Sequence, residues 1–417
     1  MLDNYNCLSD QQMINIDYFL DRADSNRLEI LHQLFMVKRA RRKIEYRENI
    51  IRDLRIEQVP FDYFLTWLCH IELEGNNSLF VYEPEDEKVF SKINLNSLYE
   101  ENVKKITPLY DINIENLNEI KLVDVIRYEE KNQVLFTIAA PSQIQYKSLD
   151  GRVKLRDHVY LAYITVDFEI NSIILSMHPT SGLVSIYGET GKRREIDDLT
   201  WIILHFFRNN ILQFTLKEPK WIIDALSKIS DEYFYHNNPI IEEKTELFSN
   251  EIIPEIMKKL KELDSTIDRE DSFLRLERGL TNLYENEMLI KFKRIQKDIP
   301  FSIFLQQTDK GLTQFKANTR GKALSHAEAG EIIRLMWEHG EVLNFGLIHK
   351  ENFKEYGYII KKLDKYYSFK KYTTSGAEKE VIDNVLRKLN KYKEEAESNL
   401  TDSETEEFEL GADDFKA

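Results

Sequence analysis

The first sixty residues carry apolar side chains at the spacing of a helix. An apolar stripe begins at Leu28 and continues through Ile44 to Leu54, with no Gly or Pro inside it. Apolar residues three and four positions apart fall on one face of a helix, which can then pack against a core. The pattern therefore predicts one long helix in this segment, ending before Pro60.

The pattern changes between residues 119 and 187, where short segments rich in β-branched and aromatic side chains alternate with turn residues. This alternation predicts antiparallel strands. Asp150-Gly151 is a strong hairpin turn, because glycine adopts a positive φ without a steric penalty. We predict a meander of five or six strands from segments at Lys121–Tyr128, Val134–Ala139, Ile144–Lys147, Val159–Phe168, Ile173–Met177 and Leu183–Tyr187.

Helical and mixed patterns occupy the rest of the chain. A capping box at Ser325–Glu328 predicts a helix that ends near Gly340. Residues 394–417 are acidic and lack an apolar period, which predicts a disordered tail. The fold class is therefore α+β, with five parts: an N-terminal helical segment with a basic helix (1–60), an antiparallel β-sheet domain with a packed helix (61–215), a helical connector (216–286), a basic α+β domain (287–393) and the acidic tail (394–417).

Composition excludes several classes of protein. A hydrophobic fraction of 42% is too high for a wholly disordered chain. No apolar run approaches the roughly 18 residues that span a bilayer, and no signal peptide is visible, so we expect no membrane partner. The cysteines, Cys7 and Cys69, form neither a disulfide framework nor a zinc quartet. We therefore expect a cytoplasmic protein.

The sequence contains no motif that specifies a reaction. The spacings of phosphate-binding loops, nucleophile elbows and zinc-protease helices are all missing. The 14 glycines are also few for a chain of 417 residues, which disfavours glycine-rich phosphate loops. We expect no catalytic residue, no bound metal and no cofactor.

The charges are distributed unevenly along a chain whose formal net charge is −15. Residues 287–372 hold sixteen Lys and Arg against ten Asp and Glu, whereas residues 394–417 hold ten Asp and Glu against one Lys. Lysines neutralise phosphates and aromatic rings stack on unpaired bases, so the basic region fits a single-strand binding surface. The competing interpretation is a pair of strands with aromatics inward and lysines outward. The candidate contacts are Lys354, Tyr358, Lys361, Lys362, Lys365, Tyr367, Lys370 and Lys371.

A second basic cluster lies on the predicted first helix. Lys38, Arg39 and Arg42 fall on the side opposite the apolar stripe. This surface could follow a phosphate backbone or bind an acidic protein, or it could be an ordinary solvated helix face.

One catalytic alternative remains open at this stage. Asp124 lies on one predicted strand, and Gln145 and Lys147 lie two positions apart on a later strand. Metal-dependent nucleases place such residues on adjacent strands, where the oxygens hold Mg²⁺ and the lysine assists water activation. This alternative requires the three side chains to meet.

We expect a non-catalytic, nucleic-acid-binding subunit of a cytoplasmic multi-protein assembly that serves genome defence or maintenance. Its partners would be DNA or RNA, and other protein subunits bound through the 394–417 tail or the basic N-terminal helix. The second hypothesis is the Mg²⁺-dependent nuclease. The third hypothesis is a protein-interaction scaffold in which the acidic tail is the docking element.

Overall fold

The chain divides into two compact units. A computed structural model describes residues 4–191, 193–234, 238–264, 270–292, 299–309, 314–318, 341–372 and 376–413. The first unit comprises Met1–Pro219 and Leu363–Asn384, and the second comprises Lys220–Lys362 and Val385–Ala417. Each unit therefore consists of two stretches of the chain, and the stretches of the two units alternate along the sequence. The division into five predicted domains stays a prediction.

Helices and antiparallel strands both contribute extensively, which confirms the predicted α+β class. The helices are α1 Asp10–Leu20, α2 Ser25–Phe35, α3 Lys43–Arg55, α4 Phe61–Cys69, α5 Lys92–Val103, α6 Thr200–Asn210, α7 Trp221–Phe234, α8 Pro239–Leu247, α9 Ile253–Leu263, α10 Glu270–Phe292 and α11 Lys379–Asp413. The strands are β1 Ser78–Pro84, β2 Lys121–Tyr128, β3 Gln133–Lys147, β4 Val153–Asp167, β5 Ser172–Met177, β6 Leu183–Ile186, β7 Glu189–Thr190, β8 Leu216–Lys217, β9 Ser302–Asp309, β10 Gln314–Asn318, β11 Glu341–Glu351, β12 Lys354–Lys362 and β13 Tyr367–Lys371.

The prediction of one long N-terminal helix is wrong. The apolar stripe belongs to two helices, α2 and α3, which are separated by residues 36–42. Met36 ends α2 in the left-handed conformation, and its N–H donates to the carbonyl of His32. Val37 is then fully buried, and the ring of His32 bonds to the Val37 carbonyl at 2.8 Å. Burial of Val37 therefore replaces continuation of the helix.

The sheet of the first unit is antiparallel, with the order β13-β1-β5-β4-β3-β6-β7. Strand β3 is one 15-residue strand where the sequence predicts two. The predicted break falls at Pro141, which has no N–H to donate. On one edge, β3 pairs with β2 as far as Ala139 and with β6 from Ser142 onward, so Pro141 lies where the partner strand changes. Proline is tolerated because this position requires no ladder hydrogen bond.

Alternation along β3 and β4 divides the core of the first unit into two clusters. Odd-numbered side chains such as Leu135 and Tyr163 pack with residues of helices α1 to α4. Even-numbered side chains such as Phe136 and Ile164 pack with helix α6, where Phe207 contacts Phe136. The sheet is thus covered on both faces by helices, as its continuous apolar runs require.

The returning segment 363–384 completes the first unit. Strand β13 pairs with β1, with Tyr367 opposite Val81. At the start of α11, the ammonium of Lys379 bonds to Gln133 Oε1 at 2.6 Å and to both carboxylate oxygens of Asp383. Both Gln133 and Asp383 are buried, so these polar groups satisfy one another.

The second unit has an antiparallel sheet with the order β10-β9-β11-β12. Buried side chains on this sheet include Phe304, Phe345 and Tyr358. Helix α7 is linked to it by a buried hydrogen bond from Gln306 Nε2 to Ser230 Oγ at 2.8 Å. The helix predicted to follow the capping box at Ser325–Glu328 lies outside the described residues.

Helix α11 continues into the acidic C-terminal segment, with a helical backbone as far as Asp413. The disorder of residues 394–417 stays a prediction. The sequence beyond residue 393 is rich in Glu and contains no Pro, and its first Gly is Gly411. Such residues favour a helix that has already been nucleated by packing. Residues 414–417 lie outside the described residues.

One buried ion pair joins the N-terminal helices to the central sheet. The guanidinium of Arg22, just after α1, makes two hydrogen bonds to the carboxylate of Glu72, at 3.0 and 2.6 Å. Its third nitrogen donates to the carbonyl of Val159 on β4 at 2.6 Å. A bidentate pair of this kind is strong because both charges are fully hydrogen-bonded.

We predict that Arg22→Met lowers the free energy of unfolding by about 3–5 kcal/mol, because Glu72 is left as an unpaired buried charge. The matched control is Arg42→Met, whose exposed side chain lies 3.8 Å from Glu45 and should cost less than about 0.5 kcal/mol. Urea denaturation followed by circular dichroism measures both values. Equal small losses of unfolding free energy in the two variants would show that the Arg22–Glu72 pair adds little to stability.

Candidate functional site

The aromatic residues of the predicted single-strand surface are buried. Tyr358 on β12 is 2% exposed and Tyr367 on β13 is 3% exposed. Rings at these positions fill the cores beneath their strands and present no face on which a base could stack. The structure therefore agrees with the competing interpretation, in which aromatics point inward and lysines point outward.

The lysines of the same run do not form one continuous surface within a unit. Lys354, Lys361 and Lys362 belong to the second unit, whereas Lys365, Lys370 and Lys371 belong to the first.

Their environments also differ. Lys354, Lys361 and Lys365 are exposed. Lys370 forms an ion pair with Asp197, and burial lowers the pKa of Lys371 to about 8. Lys370 is therefore already neutralised, and Lys371 is a weaker cation than a solvated lysine.

The basic cluster near the N-terminus lies mostly in the connection between α2 and α3. Lys38, Arg39 and Arg42 are exposed, as expected, but they do not share one helix face. Arg39 forms an ion pair with Glu29 of α2. Arg42 precedes the first residue of α3, where its backbone takes the N-cap position.

The nuclease candidates do not meet. Asp124 pairs with Thr137 on β3, and Gln145 lies eight residues farther along that strand. At roughly 3.3 Å per residue, this separation is about 26 Å. Asp124 and the pair formed by Gln145 and Lys147 therefore cannot share one metal ion. Within the described ranges, no group of three or more His, Cys, Asp or Glu residues is placed to hold a metal.

The structure reveals a feature that the sequence did not: residues 145–155 form a two-stranded arm. The pairing of β6 with β3 ends at Ile144, and the pairing of β5 with β4 begins only at Ala162. Beyond those points, β3 and β4 pair with each other as far as Lys147 opposite Val153. We call residues 145–155 and the adjacent Arg156 the β3–β4 arm.

A close backbone contact fixes the base of the arm. The N–H of Gln145 donates to the carbonyl of Gly182 at 2.7 Å. A Cβ atom on residue 182 would lie 2.3 Å from the carbonyl oxygen of Gln145, and its φ is +74°. Only glycine fits this position, so the loop before β6 can close directly on β3.

Register assigns the side chains of the arm to two faces. Residues opposite each other in an antiparallel pair lie on the same face. One face carries Tyr146 with Lys154 and the neighbouring Arg156, whose guanidinium lies 5.7 Å from the centre of the Tyr146 ring. The other face carries Lys147 opposite Val153. Within the described part of the chain, no ion pair involves Lys147, Lys154 or Arg156.

The arm also exposes apolar surface. Tyr146 is 42% exposed, and Leu149, Val153 and Leu155 are all exposed large hydrophobic residues. The signal in the sequence was the alternation of basic and apolar residues on both sides of Asp150-Gly151. Alternation predicts strands, but it does not show that both of their faces are solvent-accessible at this point.

Asp124 instead belongs to a buried polar pair. Its Oδ2 atom lies 3.4 Å from His70 Nε2. Burial raises the pKa of Asp124 to about 6. Burial, together with the charges of Arg27 and Lys379, lowers the pKa of the neighbouring His70. Both changes in pKa favour the uncharged forms of Asp124 and His70 in mildly acidic solution.

We predict that Asp124→Asn raises the free energy of unfolding at pH 7–8 by up to about 3 kcal/mol. The raised pKa means that the folded protein is most favoured while Asp124 is protonated, and that this advantage is lost as the pH rises through 6. The gain should therefore disappear near pH 4. Chemical denaturation between pH 4 and 8 measures it, with the exposed Asp62→Asn as the charge control. A gain that does not change with pH would contradict the prediction.

Comparison with known proteins adds no assignment. No protein-family model matches the chain, and no curated protein is significantly similar to it in sequence. Among the described residues, no helix combines the length and the apolar character needed to cross a membrane.

Proposed function

We propose that the protein binds single-stranded nucleic acid, DNA or RNA, through the β3–β4 arm, as a non-catalytic subunit of a cytoplasmic multi-protein assembly. The observation that carries this proposal is the face formed by Tyr146, Lys154 and Arg156. These residues place two cations around an exposed aromatic ring, and Lys147 adds a third cation on the other face. Phosphates pair with such cations, and a base can stack on the ring.

The arm stands out because the protein as a whole is acidic. With a formal net charge of −15, the chain would repel a polyanion unless its cations were concentrated in one place. Lys147, Lys154 and Arg156 are all carried by this one arm, and no ion pair of the described structure involves them. A two-stranded ribbon also presents both faces and both edges, so a flexible strand can wrap around it.

The exposed lysines identified from the sequence are proposed as secondary phosphate contacts. Lys354, Lys361 and Lys365 retain the exposure that this role requires. Lys38 and Arg42 retain it as well. The buried tyrosines Tyr358 and Tyr367 are not part of the proposal.

The acidic C-terminal segment, residues 394–417, is the proposed docking element for protein partners. The helical part of residues 394–417 extends a continuous backbone helix to Asp413. A strongly acidic helix can dock on a basic surface of another subunit.

We predict that the triple variant Lys147→Glu, Lys154→Glu, Arg156→Glu binds a single-stranded oligonucleotide at least about 100-fold more weakly than the parent. Losing three phosphate contacts should also lower the slope of log affinity against log salt by about 2, at roughly 0.7 per contact. Fluorescence anisotropy across a salt series measures both quantities, with duplexes of the same sequence in parallel.

The matched control is Lys88→Glu, Lys258→Glu, Lys259→Glu, which replaces three exposed lysines outside every proposed contact and changes the net charge by the same amount. We expect it to reduce affinity much less than the arm variant does. Equal losses of affinity in both triple variants would show that the effect comes from overall charge and not from the arm. Unchanged affinity in the arm variant would overturn the assignment of the arm.

A further inference from the structure

The turn at the end of the β3–β4 arm is held by its own hydrogen bonds. The Ser148 N–H donates to the Arg152 carbonyl at 2.9 Å, which closes a short loop from Leu149 to Gly151. The Asp150 carboxylate accepts from the Arg152 N–H at 3.2 Å and from the Ser148 hydroxyl. Gly151 takes a φ of +79°, as such a loop requires. The turn is therefore fixed to the arm by these groups and needs no particular side chain at Leu149.

An apolar side chain nevertheless stands at this turn. Leu149 is fully exposed and lies beyond the last paired residues of the two strands. On β4, Val153 and Leu155 are also exposed, by 61% and 58%. These three side chains add nothing to a core, and a group of exposed apolar residues marks contact with another molecule. The charges around Leu149 indicate the chemistry of that molecule.

The charge of the arm favours a polyanion. Residues 145–156 contain four exposed cations, Lys147, Arg152, Lys154 and Arg156, and Asp150 is their one acidic residue. Asp150 is engaged by the turn, and its carboxylate lies 3.9 Å from the Arg152 guanidinium. The other three cations are left for an anionic partner, in a chain whose formal net charge is −15. Nucleic acid is attracted to a cluster of this kind.

A hollow of about 460 Å³ beside the turn brings these groups together. Leu149 and Tyr146 both line it, and so do Lys147 and Lys154. The apolar tip, the aromatic ring and two of the cations therefore border one space and can contact one ligand. A ligand that suits all of them combines phosphates with apolar surface that is not already covered.

Nucleic acid offers uncovered apolar surface where base stacking stops. Inside a duplex each base pair is covered on both sides, whereas the last pair before a single-stranded extension has one free face. Leucine has no polar side-chain group, so it contributes to binding by covering such a face, as apolar side chains do when they pack against base steps. The unpaired bases of the strand itself are already offered the Tyr146 ring. The terminal base pair is therefore the surface that suits Leu149.

We infer that the arm recognises the junction at which a duplex passes into a single strand. The single strand lies along Tyr146, Lys154 and Arg156, and Leu149 packs against the free face of the terminal base pair. The inference rests on the proposed function, since the single strand must bind the arm. It adds a substrate class, the partly single-stranded duplex, and a specificity-determining residue, Leu149.

The test is fluorescence anisotropy of the full-length protein with a single strand, a blunt duplex, and the same duplex extended by that single strand. We expect the extended duplex to bind about tenfold more tightly than the single strand, because it also buries the Leu149 side chain. The blunt duplex should bind more weakly than the extended duplex. Equal affinity for the single strand and the extended duplex would overturn the inference and leave the proposed function standing. Failure to bind the single strand would overturn both.

Substitutions at the tip separate Leu149 from the rest of the arm. We expect Leu149→Ser to bind the single strand as the parent does and to lose the tenfold preference for the extended duplex. Leu149→Met keeps an apolar side chain and should keep the preference. The matched control is Leu155→Ser, since Leu155 is also exposed but lies opposite Gln145 at the base of the arm. An unchanged preference in Leu149→Ser would show that the duplex is bound without the tip, and the inference would fail.

A lipid surface is the other partner that cations around an apolar tip can suit. Sedimentation with vesicles of phosphatidylserine and phosphatidylcholine distinguishes it. Vesicle binding that Leu149→Ser abolishes, in a protein that shows no preference for the extended duplex, would assign the tip to lipid and overturn the inference. No vesicle binding, together with a preference for the extended duplex that depends on Leu149, would support it.

Discussion

The pairing of β3 with β4 is the constraint on which the first unit depends. The two strands pair without interruption from Gln133 opposite Asp167 to Lys147 opposite Val153. Because side chains alternate with a period of two, this register sends Tyr163 to the N-terminal helices and Ile164 to the opposite core. A slip by one residue would exchange the two sets. The same register, continued beyond the helices, places the cations and the ring of the arm.

The arm begins where this ladder leaves the cover of the helices. Along β4, residues 153–157 are solvent-exposed, whereas residues 158–167 are buried. Neighbouring residues on one strand point to opposite faces, so Arg156 lies near the Tyr146 ring while Asp157 lies on the same face as Lys147 and Val153. One continuous strand thus contributes to the core at one end and to the surface at the other.

Local signals in the sequence predicted local features well. Asp150-Gly151 identified the β3–β4 turn because its conformational requirement is carried by those two residues. The break after Met36 was not predictable from periodicity, since both helices use the same apolar stripe. Val37 after the break is fully buried in the core cluster of the N-terminal helices, and periodicity does not encode a buried residue outside a helix. In the same way, alternation could not decide whether Tyr358 stacks on a ligand or fills a core.

The alternation of the two units along the chain has a consequence for synthesis on the ribosome. Strand β1 receives β13 as a neighbour only after residues 220–362 have been translated. At about 5–20 residues per second, that interval lasts roughly 7–30 s. During it, β1 presents an unpaired edge that includes Val81, and Gln133 lacks the ammonium of Lys379. The nascent first unit is thus exposed to edge-to-edge association for a defined period during its synthesis.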